Sequence, residues 1–243
     1  MRYQYPLNQR DKLGLLHIKK KFVKYKHVLF IVFLILLLDQ AIKIYVKTHF
    51  YYGESVSVSG NWFQLLFIEN EGMAFGMKIM DGEIGKIILT LFRLIAVAFG
   101  FFWVKQLVDK KNSKGLLICA SLILAGAAGN LIDSMFYGMI FSESETHIAQ
   151  FVPFGTGYAS FLHGRVVDMF YFPVIDTTWP QWMPYFGGSK FRFFEPIFNL
   201  ADAAISVGIL VLFFFQKKLV KPATDKKVVD MPEETQLDSL NKK

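Results

Sequence analysis

The sequence has little of the material from which many enzyme sites are built. Its 243 residues include one cysteine, Cys119, and five histidines. A single cysteine excludes an internal disulfide framework and a cysteine-based metal site. We also find no glycine-rich phosphate loop and no Ser-His-Asp arrangement. His147 and His163 lie in a long loop, where surface positions are expected rather than metal ligands. The sequence therefore predicts no metal and no cofactor.

Charged residues are also few, at 19% of the chain, whereas 53% of residues are hydrophobic and 26 are phenylalanine. The mean hydropathy of +0.34 is too high for an ordinary soluble protein. The net charge of +7 does not indicate nucleic-acid binding, because the basic residues flank apolar runs, where they determine membrane topology. No cleavable signal peptide is expected, since the first apolar run leads into Asp39 rather than a small-residue cleavage site.

The apolar runs predict an α-helical integral membrane protein with four transmembrane helices. The predicted spans are residues 27–46, 84–104, 115–136 and 196–215. They form a membrane domain, residues 27–215, between a basic arm at residues 1–26 and a basic tail at residues 216–243. The alternation Ser55-Val56-Ser57-Val58 predicts a small extramembrane β-sheet. Residues 137–193 are predicted to form a long outer loop rich in aromatic residues.

The basic residues also predict the orientation of the spans. The arm, the loop at residues 105–114 and the tail hold 19 lysines and arginines, whereas the two other loops hold five. The positive-inside rule therefore predicts that both termini are cytoplasmic. Four aspartates then lie near the outer membrane face: Asp39, Asp133, Asp168 and Asp202. Acids at such depth are costly unless they have a partner and a function.

Several functions could require these aspartates. Two adjacent carboxylates can share one proton, so that one acts as a base toward water and the other as an acid toward a peptide. Alternatively, the aspartates could form structural ion pairs with Lys43, Arg93 or Arg165. They could also relay protons in a small four-helix transporter, or belong to a non-enzymatic assembly factor. A transporter would need acids at mid-depth or on the inner side, where the predicted spans carry Arg93 and lysines instead.

Five sequence blocks favour the first of these functions. They are Asp39-Gln40-x-x-Lys43, Asn70-x-Gly72-x-Ala74-Phe75-Gly76, Gly129-Asn130-Leu131-Ile132-Asp133, Gly164-Arg165-Val166-Val167-Asp168 and Phe198-Asn199-Leu200-Ala201-Asp202. In this order and topology, the blocks resemble the motifs of the lipoprotein signal peptidase family, also called signal peptidase II. The resemblance covers roughly residues 27–215, except for parts of the long loop.

This resemblance implies a membrane aspartic endopeptidase that removes signal peptides from prolipoproteins. The lipobox cysteine of such a substrate already carries diacylglycerol, and cleavage falls just before that cysteine. Asp168 and Asp202 would be the catalytic pair. The resemblance implies binding or supporting roles for Asp39, Lys43, Asn70, Gly72, Asn130, Asp133 and Asn199.

Two of these supporting assignments remain open. Asp39 and Lys43 are equally consistent with a structural pair, and Asp133 could hold either the fold or the substrate. The implied partners are lipidated prolipoproteins and membrane lipid, and we expect a monomer. The implied location is the bacterial cytoplasmic (inner) membrane, with the active site at its outer, periplasmic face.

The sequence departs from the family pattern in two places. The aspartate of the third-span block is usually followed by arginine, whereas this chain has Ser134. We expect Arg93 or Arg165 to supply the missing charge beside Asp133. The segments at residues 138–164 and 168–198 are also longer than the family's compact pattern, and they predict an aromatic lid over the site or a surface for a partner.

Overall fold

The structure, a computed structural model, describes residues 24–71, 83–193 and 195–220. Gly72, most of the predicted basic arm and most of the predicted tail lie outside the described residues. Within them, four helices are long and apolar enough to cross a membrane. These are α1 (Tyr25–His49), α2 (Glu83–Asp109), α3 (Lys114–Ile140) and α4 (Leu200–Leu219). The predicted α-helical membrane fold is thereby confirmed.

Helix α3 is the central helix of the bundle and packs against the other three. Small residues on α3 allow its neighbours to approach closely. A Cβ atom at Gly126 would lie 2.2 Å from the backbone oxygen of Ala201 in α4. One at Gly129 would lie 2.7 Å from a carboxylate oxygen of Asp39 in α1. These two glycines thus bring α1 and α4 against the same stretch of α3.

Helix α3 changes its geometry near its outer end. It is α-helical from Lys114–Ile132, forms a π-helical turn at Asp133–Tyr137 and closes with the α-helical turn Gly138–Ile140. A π-helical turn rotates the side chains around it and is frequent at functional sites. Here it begins at Asp133, whose side chain is completely buried.

A four-stranded antiparallel sheet covers one end of the bundle, in the order β1-β2-β3-β6. Its strands are β1 (Ser55–Ser59), β2 (Phe63–Asn70), β3 (Val166–Tyr171) and β6 (Ile197–Phe198). The other two strands, β4 (Ile175–Thr178) and β5 (Lys190–Phe193), form a separate hairpin. The sequence predicted the two strands of the first loop. It did not predict that β3 and β6, from the second outer loop, complete the same sheet.

The sheet leads directly into the last membrane helix. In β6, Phe198 pairs with Phe170 and Ile197 with Tyr171. Because these residues are extended, α4 begins at Leu200 rather than at the predicted Pro196. Asn199 caps the helix, and its side chain accepts a hydrogen bond from the backbone N–H of Asp202.

Candidate active site

The two predicted catalytic aspartates come from different kinds of element. Asp168 is the third residue of β3, and Asp202 lies in the first turn of α4. Asn199 lies between them and bonds to both residues. Its Oδ1 accepts from the Asp202 backbone N–H at 2.9 Å, and its Nδ2 donates to Asp168 Oδ1 at 2.6 Å. The cap that starts α4 therefore also joins α4 to the strand that carries the second acid.

Two further asparagines hold the same carboxylates. Asn70, at the end of β2, donates to the other carboxylate oxygen of Asp168. Asn130 of α3 donates to Asp202 Oδ1 at 2.7 Å, and its own Oδ1 accepts from Asn199 Nδ2 at 3.1 Å. A chain of amide hydrogen bonds thus connects β2, β3, α3 and α4 around the two acids.

The electrostatic environment separates Asp168 from an ordinary surface acid. Its side chain is almost completely buried. Burial, followed by the nearby charge of Asp202, raises the pKa of Asp168 to about 8. The pair therefore has what shared-proton chemistry requires: one acid that is protonated at neutral pH beside another carboxyl group.

Asp39 and Asp133 have different surroundings from this pair. Lys43 Nζ lies 3.0 Å from Asp39 Oδ2 and 2.7 Å from Asp133 Oδ2, and all three side chains are fully buried. Gln40 Nε2 donates to the second oxygen of Asp133 at 2.8 Å, and the backbone N–H of Ala201 donates to Asp39 Oδ1 at 2.9 Å. These contacts join α1, α3 and α4. The geometry is that of a structural ion-pair network beneath the two acids.

Lys43 also connects this network with the acids above it. Its Nζ donates to Asn130 Oδ1 at 2.8 Å, and the amide nitrogen of Asn130 donates to Asp202. Lys43 thereby fixes which end of the Asn130 amide points toward the acid, because a lysine can only donate.

Another helix supplies an arginine beside Ser134. Arg93 of α2 turns toward the bundle interior, and its NH1 donates to Ser134 Oγ at 2.9 Å. The charge beside Asp133 itself comes from Lys43. Arg165 does not contribute, since it contacts Glu143 at 2.8 Å instead.

Sequence reasoning assigned no role to a second buried pair near the site, Lys47 and Glu69. The two side chains form an ion pair with 0% and 1% exposure. Lys47 lies four residues after Lys43, and this spacing places both lysines on one helix face. That spacing was the available signal. Lys47 was instead counted among the basic residues of the outer loops.

Comparison with known proteins identifies related chains. The family model for signal peptidase (SPase) II matches residues 31–217. A lipoprotein signal peptidase of Porphyromonas gingivalis is 46% identical over 215 residues, which cover 88% of this chain and 92% of the relative. One of Amoebophilus asiaticus is 34% identical over 199 residues, which cover 81% of this chain and 80% of the relative.

The fold is also similar to that of a solved structure, a bacterial membrane enzyme determined by the in meso method. The two structures agree with a TM-score of 0.52 at 23% identity. The match covers 86% of this chain and 98% of the other. This likeness concerns the arrangement of helices and strands alone.

Proposed function

The chain belongs to the signal peptidase II family, and we propose on this premise that it cleaves prolipoproteins just before a diacylglyceryl-modified cysteine. The matched region, residues 31–217, contains all four membrane helices almost entirely. The chain is thus a peptidase of the bacterial inner membrane, built from several spans, that removes signal peptides from prolipoproteins. Membership in a peptidase family argues against the transporter and the assembly factor.

We propose further that the peptidase is of the aspartic type, with Asp168 and Asp202 as its catalytic pair. The observation that carries this proposal is the position of Asn199, which is hydrogen-bonded to both residues. Asp168, with its raised pKa, holds the proton and acts as the general acid toward the scissile carbonyl. Asp202 acts as the general base and takes a proton from the attacking water. The asparagines that donate to these carboxyl groups fix the two acids in their reactive positions.

This assignment gives the supporting residues distinct roles. Asn70 and Asn199 position Asp168, and Asn130 positions Asp202. Lys43 holds Asn130 in turn, and its ion pairs with Asp39 and Asp133 secure the helices beneath the site. Both acids and all of these groups belong to one copy of the chain. We propose that the protein acts as a monomer.

The proposed site lies at the outer face of the membrane, with both termini in the cytoplasm. The distribution of basic residues supports this orientation. A signal peptide crosses the membrane as a helix, and its diacylglyceryl group is anchored among the lipids. A pair of acids at the membrane boundary would therefore meet a scissile bond that the substrate itself holds at that depth. Membrane lipid and the lipidated prolipoprotein are the proposed partners.

The test is to incubate the purified protein in detergent with a diacylglyceryl-modified prolipoprotein and to detect the mature form by its mass. We expect Asp168→Asn and Asp202→Asn each to lower the rate by about 10²–10⁴-fold, because general acid–base catalysis contributes on this scale. Asp109→Asn is the matched control, since Asp109 is an exposed residue at the far end of α2. Normal cleavage by either of the first two variants would contradict the assignment.

A further inference from the structure

A second cluster of buried charge lies behind the catalytic face of strands β2 and β3. Side chains alternate between the two faces of a strand. Asn70 therefore shares one face with Asp168, while Glu69 points to the opposite face, where it is paired with Val167. We call the residues on this opposite side the rear cluster. Its members are Lys47, Glu69, Ser144 and Arg165.

The rear cluster joins three separate parts of the chain. Lys47 of α1 forms an ion pair with Glu69 of β2, and its Nζ donates to Ser144 Oγ at 2.7 Å. Arg165, just before β3, lies 3.5 Å from the other carboxylate oxygen of Glu69 and 2.8 Å from Glu143. Glu69 is therefore held at both of its oxygens, by one cation from α1 and one from the outer loop.

Aromatic rings enclose the ammonium group of Lys47. Its Nζ lies 5.0 Å from the ring centre of Tyr158, 5.3 Å from that of Phe141 and 6.0 Å from that of Phe67. These distances permit cation–π attraction and exclude water from the pair. The positions of the two side chains in such a dry ion pair are tightly restricted, because any displacement leaves a buried charge without its partner.

The ladder between β2 and β3 is irregular just before the segment that carries Glu69 and Asn70. Its regular pairing is interrupted between Leu65 and Ile68, and it resumes with Ile68 opposite Asp168. An irregularity of this kind can redirect the side chains that follow it. Beyond the interruption the ladder is short, since Ile68, Glu69 and Asn70 pair with Asp168, Val167 and Val166. These backbone pairs set the register of Asn70, and the Glu69 side chain adds a second attachment to the same segment. The Glu69 side chain is attached one residue before Asn70, on the far side of the interruption.

We infer that the Lys47–Glu69 pair is a positioning device for the active site. It holds the end of β2 so that the Asn70 amide meets the Asp168 carboxyl. Helix α1 then supports the site twice, through Lys43 beneath the acids and through Lys47 behind the sheet. This inference rests on the proposed function, because the groups that it positions are the proposed general acid and its amide partner.

The test compares kcat and KM for a diacylglyceryl-modified prolipoprotein in detergent. We expect Glu69→Gln to lower kcat roughly 10–100-fold, the scale of a small displacement in a catalytic geometry. KM should stay within about twofold, because the substrate still meets the same surface. Glu145→Gln is the matched control. The Glu145 side chain is 63% exposed, and its contact with Arg165 is long, at 3.9 Å. Its kcat should equal that of the wild type.

A double-mutant cycle with Asn70→Ala separates positioning from simple stabilisation. If the effect passes through Asn70, adding Glu69→Gln to Asn70→Ala should change kcat by less than about twofold. A full multiplicative loss would overturn the inference, as would a variant whose melting temperature falls while its kcat is normal. If Glu69→Gln fails to fold, Ser144→Ala replaces it in the same cycle. That variant removes one hydrogen bond from Lys47 without leaving a charge unpaired.

The outcomes also distinguish this inference from the proposed function. A wild-type protein that does not cleave the prolipoprotein would overturn the proposed function. A wild-type protein that cleaves, with Glu69→Gln and Ser144→Ala both at full kcat, would overturn only the positioning role.

Discussion

At the scale of single residues, Asp168 is subject to opposing influences. Two amides, from Asn70 and Asn199, donate to its carboxyl oxygens and favour the ionised form. Burial and the charge of Asp202 favour the protonated form. The second pair of influences dominates, and the pKa of Asp168 rises to about 8. The same residue is therefore a proton donor at neutral pH and becomes an anion under mildly alkaline conditions.

This balance predicts how activity depends on pH. Asp168 is protonated below its pKa and ionised above it, so a general acid is lost as the pH rises through about 8. The ratio kcat/KM, which reports the ionisation of the free enzyme, should fall about tenfold per pH unit above that point. The measurement is the profile of kcat/KM over roughly pH 6 to 10, a range that brackets the pKa. A kcat/KM that remains level or rises above the pKa would show that Asp168 does not donate the proton.

Sequence reasoning named these two acids and the three asparagines around them, but not the hydrogen bonds that join them. Asp168 and Asp202 lie in blocks whose order and topology bring them to the same end of the bundle. That Asn199 bonds to both depends on the direction of one side chain at the junction of β6 and α4. Such a direction follows from the strand pairing at Phe198, which no local pattern of residues encodes.

At the scale of elements, α1 is more than a hydrophobic span. It carries Lys43 and Lys47 one turn apart, and both side chains are completely buried. Lys43 faces α3 through Asp133, while Lys47 faces the sheet through Glu69. One ion pair thus attaches the helix to the membrane bundle, and the other attaches it to the extramembrane sheet.

The first of these contacts predicts a large effect on stability. Lys43→Met removes the cation shared by Asp39 and Asp133 and leaves two buried carboxylates without a positive charge beside them. We expect a loss of about 3–5 kcal/mol in the free energy of unfolding, as for other broken buried pairs. Thermal unfolding in detergent measures the change, with the exposed Lys105→Met as the matched control.

A second substitution tests the physical cause of that loss. Adding Asp133→Asn to Lys43→Met removes one of the two unpaired carboxylates, so the double variant should unfold at a higher temperature than Lys43→Met alone. If the two losses simply add, the charge of Asp133 is not the source of the instability.

The elements themselves were predictable to different degrees. The four spans were expected because each is a long apolar run, and helix hydrogen bonds form within the run itself. The sheet was expected only in its first two strands, where Ser55 to Val58 alternate. Its other strands, β3 and β6, are paired with residues far away in the chain, and β6 has only two residues. Their pairing follows from the packing of α4, which the sequence pattern alone does not describe.

At the scale of the whole molecule, the proposed orientation predicts which loops face the outside of the cell. Tyr185 is fully exposed, in the loop between β4 and β5. Lys110 is also exposed, and it directly follows the last residue of α2, on the side that is proposed to be cytoplasmic. In spheroplasts, a membrane-impermeant maleimide should label Tyr185→Cys directly and should label Lys110→Cys only after the membrane is permeabilised.

The native cysteine provides an internal control for this labelling. Cys119 is buried within α3 and should not react in either state of the membrane. The reverse pattern, with Lys110→Cys labelled in intact spheroplasts, would mean that the protein is inserted with its acids toward the cytoplasm.

The double role of Asn199 has a consequence for how the protein is made. Asn199 and Asp202 arrive with the fourth of the described membrane helices, whereas their support from Lys43 arrives with the first. A chain that is still being synthesised therefore lacks half of its acid pair until this late helix is inserted and capped. On the proposed mechanism, the nascent protein has no peptidase activity as it enters the membrane. With Asp202 as one of the two proposed catalytic acids, activity would begin only when synthesis has passed this helix and the bundle has closed.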